Sequence, residues 1–196
     1  MYDLIHKKYG GVGSAGYYEL CRTLQTFECK LDLDVQHFLN NKAIESNERG
    51  IAYTHLIFDE ELCEAGEQRI EGYFTLTMKT LEFGDGVSNS TIKKLCGGYK
   101  KHSKPFILVA QLGKYIGDTR VSELTLQDIL NCILDQVRSI DRFVPVRYIL
   151  VECSKEMLST GLYQSLGFTL IGHTIRESKS VTEELYQLVY EVPNKS

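Results

Sequence analysis

Residues 105–153 read PFILVAQLGKYIGDTRVSELTLQDILNCILDQVRSIDRFVPVRYILVEC, and this stretch decides the fold. Phe106 to Ala110 is the longest uninterrupted apolar run in the chain. With its neighbours it reads as a buried strand, residues 105–112. Thr125 and Asp128 then form a T-x-x-D capping box. Leu126, Ile129, Leu130, Ile133, Leu134, Val137 and Ile140 follow at helical spacing, which predicts a long helix with one apolar face. Residues 147–153 (RYILVEC) are a second strand. Strand, helix, strand with a buried helix face is a βαβ unit, so the two strands are expected to be parallel neighbours. The crevice at the carboxyl ends of such a pair is where α/β proteins bind ligands.

Outward from this unit, residues 69–83 (RIEGYFTLTMKTLEF) alternate. Ile70, Phe74, Leu76 and Met78 fall on one face, with Gly72 in register. Glu71, Tyr73, Thr75, Thr77 and Lys79 fall on the other, the period of a half-buried strand. Residues 51–58 (IAYTHLIF) are a second strand of the same antiparallel hairpin, with a turn near Gly66. Residues 31–46 read as a helix capped by Asp32 or Asp34, with Val35, Phe38, Leu39 and Ala43 on one face. Residues 17–27 (YYELCRTLQTF) read as a first strand. Residues 84–104 form an inserted loop with a short helix at 91–95. Residues 155–166 are a second amphipathic helix, with Gly167 at its C-terminal cap. Residues 168–172 and 185–192 close the sheet as a hairpin. The expected architecture is α/β (α+β): a flexible segment at 1–16, then one domain at 17–196. That domain has a mixed central sheet, a splayed parallel strand pair and helices on both faces.

The composition excludes several classes. The 196 residues are 43% apolar and 24% charged, near the average for folded globular chains. The net charge of −4 argues against a general nucleic-acid coat. No run approaches the roughly 20 apolar residues of a membrane helix, and the first residues lack an apolar core of signal-peptide length. The reading is a cytoplasmic protein. The six cysteines form no C-x-x-C and the five histidines no H-x-H or H-x-x-x-H, so no metal site is expected.

The last third carries a family likeness. EMLSTGLYQSLGF, residues 156–168, ends in Tyr-x-x-x-Gly-Phe as Tyr163, Gly167 and Phe168. It resembles the fourth-helix signature of the GCN5-related N-acetyltransferases. PFILVAQLGK and the helix after it sit where that fold places them. FECKLDLDVQHFLNNKAIE (27–45) and IEGYFTLTM (70–78) resemble the subgroup that includes acetyltransferase toxins.

The resemblance implies acetyl-CoA as cosubstrate. It implies a primary amine acceptor: a small molecule, a protein or an aminoacyl-tRNA. It also implies that the pantetheine arm pairs with Gln111, Leu112, Gly113 and Lys114, and that the next loop receives the pyrophosphate near Ser122, Leu124 and Thr125. Helix N-termini suit anions because their first amides are unpaired. The family's glycine-rich turn is missing here, since residues 117–127 read GDTRVSELTLQ and Glu123 adds a like charge. Arg120 and Lys114 could compensate. Tyr163 is the implied acid for the departing thiolate. The general base stays open among Glu152, Glu82, Asp59 and His55. Many proteins of this fold form homodimers through edge strands. The competing reading is a catalytically inactive protein of the same fold, acting in binding or regulation after losing CoA binding.

Three further features of the sequence bear on function. Residues 11–16 (GVGSAG) match G-x-G-x-x-G, but the flanking segments read as a polar stretch and a strand, which is the wrong context for a dinucleotide site. Lys93, Lys94, Lys100, Lys101 and Lys104 surround Tyr99. They read as a solvated loop or as a clamp for the CoA 3′-phosphate or RNA. Cys153 at a strand end reads as a buried small hydrophobe.

Overall fold

The structure is a computed structural model that describes residues 13–83, 87–177 and 182–193. Among the described residues three helices come first: α1 (Ala15–Gln25), α2 (Leu33–Asn41) and α3 (Ala43–Glu48). Then follow β1 (Tyr53–Phe58), α4 (Glu60–Glu64), β2 (Ile70–Glu82), α5 (Asn89–Leu95) and β3 (Ser103–Lys114). The remainder is α6 (Leu126–Asp141), β4 (Tyr148–Cys153), α7 (Lys155–Ser159), α8 (Leu162–Ser165), β5 (Thr169–Glu177) and β6 (Thr182–Glu191). The strands form one mixed sheet in the order β1-β2-β3-β4-β6-β5. β3 and β4 are parallel, with Ile107, Leu108 and Val109 opposite Ile149, Leu150 and Val151. The βαβ reading of β3, α6 and β4 therefore holds. β1 pairs antiparallel with β2, and β6 pairs antiparallel with both β4 and β5.

The chain divides into two compact units. The first takes the described residues of Met1–Thr77 with Gln111–Ile133, and the second takes Met78–Ala110 with those of Leu134–Ser196. In the first unit, Leu20 and Leu24 of α1, Leu39 of α2 and Ala43 of α3 pack with Phe27, Ile70, Tyr73 and Tyr115. Phe27 sets its ring edge-on to both Tyr73 and Tyr115. In the second unit, Ile92 and Leu95 of α5 pack with Leu81, Phe106, Tyr148, Leu150, Ile171 and Val189. Ile149 and Val151 point the opposite way along β4 and are buried too. This strand is covered on both faces, as parallel-sheet strands are.

Several elements depart from the sequence reading. The expected strand at 17–27 is instead helix as far as Gln25, because Leu20 and Leu24 lie one helical turn apart on the buried side and Ser14 caps the start through the Tyr17 amide. The helix opens inside the G-x-G-x-x-G stretch. The strand that motif would need falls at residues 2–9, outside the described residues. The helix at 31–46 is two helices with Lys42 at the junction, and Asp32 is the cap of the first. β2 is buried on both faces through its middle, Tyr73 and Thr75 included, while Met78 is 64% exposed. The helix at 155–166 is broken at Gly161, whose φ is +70°. α5 ends on Gly97 and Gly98, both at positive φ, and the Gly98 amide returns to the Lys93 carbonyl. A side chain at either glycine would meet nothing within 4 Å. None of the six cysteines is in a disulfide. Among the described residues no helix is long and apolar enough to cross a membrane.

Candidate active site

Gln111, Leu112, Gly113 and Lys114 are the last four residues of β3. Gly113 is buried because Tyr73 and Val35 lie against it. A Cβ there would sit 2.6 Å from both. Tyr73 is itself fixed by donating its hydroxyl to the Val35 carbonyl at 2.7 Å. Gly72 plays the matching part on β2, where a Cβ would lie 2.7 Å from the Leu124 side chain and 2.9 Å from the Gly113 carbonyl. Leu124 thus rests directly on strand backbone.

The loop between β3 and α6 is a closed structure. Ile116 bridges Cys29 on one side and Val121 on the other. The Gly117 amide donates to the Arg120 carbonyl and the Ser122 amide to the Tyr115 carbonyl, each at 3.0 Å. Lys30 pairs with Asp118 at the tip.

Arg120 does not reach outward. Its Nη1 donates to both oxygens of Glu71 at 2.9 and 3.1 Å, and its Nη2 to the Ile70 carbonyl at 3.2 Å. The guanidinium lies 3.7 Å from the Tyr115 ring centroid. Arg69 donates to the same carboxylate at 2.8 Å and also pairs with Asp59. Burial alone would raise the Glu71 pKa. The Ser122 hydroxyl, the Arg69 hydrogen bond and the two guanidinium charges outweigh it and hold the carboxyl below its ordinary range.

The capping box forms as the sequence predicts. The Thr125 amide donates to Asp128 Oδ2 at 2.8 Å, and the Asp128 amide to Thr125 Oγ1 at 3.2 Å. The Leu124 amide donates to the buried Ser122 hydroxyl at 3.1 Å. The three amides that the sequence offers to a pyrophosphate, those of Ser122, Leu124 and Thr125, are therefore already satisfied. Among the described residues those of Leu126 and Gln127 have no partner, as the first turn of a helix leaves them. Sequence reasoning missed this shift because a capping box and an anion site compete for the same amides.

In the second unit, Tyr163 lies on α8 with its ring edge-on to Phe168. Burial, and secondarily the Cys153 thiol, push its pKa up to about 12. Among the described residues its hydroxyl has no hydrogen-bond partner. The Cys153 thiol is itself pushed up by burial, which suits a packed side chain and not a nucleophile. Glu152 is 11% exposed, and its carboxylate is fully engaged. Lys79 donates to its two oxygens at 2.7 and 2.6 Å, and Gln187 to one of them at 2.8 Å. Lys79 and Gln187 carried no sequence signal, because partners 73 and 35 residues away show no period.

Of the other base candidates, Asp59 is occupied and His55 is ill suited. Asp59 caps α4 through the Leu62 amide and pairs with Arg69. His55 stacks on Phe74, and burial pushes its pKa down to about 4. Glu82 is exposed. In the lysine run, Lys93, Lys94, Lys100 and Lys101 are exposed. Lys104 is structural: it donates to the Leu95 carbonyl at the end of α5 and lies over the Phe106 and Tyr148 rings.

Neither a protein-family model nor a curated protein matches the chain. Solved structures do. AtaT complexed with acetyl-methionyl-tRNAfMet matches with a TM-score of 0.59 and 21% identity, over 83% of this chain and 85% of that one. AtaTR bound with acetyl-CoA matches with a TM-score of 0.58 and 20% identity, over 86% of each chain. A tyrosine-to-phenylalanine variant of KacT matches with a TM-score of 0.59 and 16% identity, over 86% and 87%. At these identities the likeness is one of fold, and the chain has the GCN5-related N-acetyltransferase fold that its last third resembles in sequence.

Proposed function

We propose that this protein is an acetyl-CoA-dependent N-acetyltransferase that passes the acetyl group directly to a primary amine in a ternary complex. The observation that carries the reading is the fold shared over 86% of the chain with AtaTR bound to acetyl-CoA. Acetyl-CoA would supply an activated acetyl thioester. Gln111, Leu112, Gly113 and Lys114 would hold its pantetheine arm along β3. The loop with Ser122, Leu124 and Thr125 would shape the pyrophosphate end, with the free amides of Leu126 and Gln127 facing the phosphates. The amine nitrogen attacks the acetyl carbon, the carbon–sulfur bond breaks, and the proton of Tyr163 goes to the departing sulfur. A phenol raised by burial keeps its proton through neutral pH, as an acid must. The amine's own proton leaves through solvent or to the exposed Glu82, since Glu152 and Asp59 are held by cations and His55 is a weak base.

The acceptor class includes aminoacyl-tRNA, which the AtaT complex with acetyl-methionyl-tRNAfMet supports. A homodimer through the edge strands β1 or β5 and a cytoplasmic place of action belong to the same proposal.

Calorimetry with acetyl-CoA, and NAD as comparator, tests it. Binding of acetyl-CoA in the micromolar range and none of NAD is the expected result. Tyr163→Phe should then bind acetyl-CoA like the wild type and lose about 10²–10⁴-fold in turnover. Absence of acetyl-CoA binding up to millimolar would replace this reading with that of a binding or regulatory protein on the same fold. Unchanged turnover would remove Tyr163 from the mechanism.

A further inference from the structure

We infer that Glu71 is the positioning residue of the cofactor loop, holding residues 117–125 in shape through Arg120 where related folds rely on glycine. The inference rests on the acetyl-CoA reading above. Glu71 is 14% exposed, and it meets Arg120 with both oxygens and Arg69 with one. Arg120 is gripped at three points: the Glu71 carboxylate, the Ile70 carbonyl and the face of Tyr115. Its own carbonyl receives the Gly117 amide that closes the turn. The Ser122 hydroxyl, which holds the Leu124 amide, is buried at the same carboxylate. One side chain on β2 therefore fixes both ends of a four-residue turn and the segment that leads into α6. A glycine loop adapts to phosphate when the ligand arrives. This loop is shaped beforehand, which removes the ordering cost from binding. Arg120 acts as a strut and not as a phosphate ligand.

The full chain is compared as wild type, Glu71→Gln, Glu71→Ala, Arg120→Ala and the double variant Glu71→Ala with Arg120→Ala. Acetyl-CoA is the probe. The Glu71 variants should raise Kd and KM for acetyl-CoA about tenfold or more, with kcat at saturation within roughly twofold. The double variant should be no worse than Arg120→Ala, because the two residues act as one unit. Hydrogen exchange should quicken at the Gly117 and Ser122 amides while the strands stay protected. Unchanged affinity and unchanged loop exchange in both Glu71 variants would overturn the inference, and so would additive losses in the double variant. Glu71→Gln keeps the size and one acceptor, so it carries both readouts if the alanine variant does not fold. A wild type that binds no acetyl-CoA would overturn the acetyltransferase reading, and loop exchange alone would then decide the role of Glu71.

Discussion

His55 lies flat on Phe74, with ring centroids 4.9 Å apart and 13° between the planes. Burial favours its neutral form and pushes its pKa down to about 4. In the unfolded chain the same imidazole titrates near 6.5. Between these values the unfolded state binds the extra proton. Stability is at its full value above about pH 6.5, and about 3 kcal/mol of it is lost as the pH falls to 4. Urea unfolding from pH 7.5 to 4 should show this loss, and His55→Leu should flatten that part of the profile. An unchanged slope in the leucine variant would mean that other groups carry the acid sensitivity. Arg120 teaches the complementary point. Its sequence position beside an expected phosphate suggests a ligand, yet a half-buried carboxylate 49 residues earlier in the chain holds it. A charge in sequence is not a free charge in the fold.

The break between α7 and α8 takes two residues, Thr160 and Gly161. Gly161 takes a φ of +70°, and a side chain there would touch nothing within 4 Å. The cost of a substitution is therefore backbone strain alone. Gly161→Ala should lower stability by about 1 kcal/mol in urea or thermal unfolding. A neutral result would mean that the two short helices can merge.

The same element shows what sequence can and cannot disclose. Met157, Leu158, Leu162 and Leu166 keep a helical rhythm across the glycine, so one continuous helix was the natural expectation. Only the left-handed turn ends it. β3, α6 and β4 were legible because their apolar rows are long and end in recognised caps. α1 was misread as a strand because Tyr, Thr and Phe favour strands. The pair Leu20 and Leu24, with Ser14 upstream, held the helical signal. In the candidate site, Tyr163 and the end of β3 could be proposed from motif and order. The network at Glu71 and the pair Lys79 with Glu152 could not, because residues distant in sequence make them.

The two compact units are not separable lengths of chain. The chain passes from one to the other at Thr77–Met78 within β2, at Ala110–Gln111 within β3 and at Ile133–Leu134 within α6. A strand or helix cannot melt over half its length without losing the hydrogen bonds that propagate it. Calorimetric unfolding should therefore give one cooperative transition, and two resolved transitions would contradict this. Reductant should leave that transition in place, because no disulfide joins the six cysteines. Such interleaving also limits where the chain can be cut. Severing it at any of the three crossings would divide a strand or a helix, whereas the exposed Gly97–Gly98 turn follows a finished helix and faces open space. Circular permutation or fusion of a reporter domain there would leave β2, β3 and α6 whole.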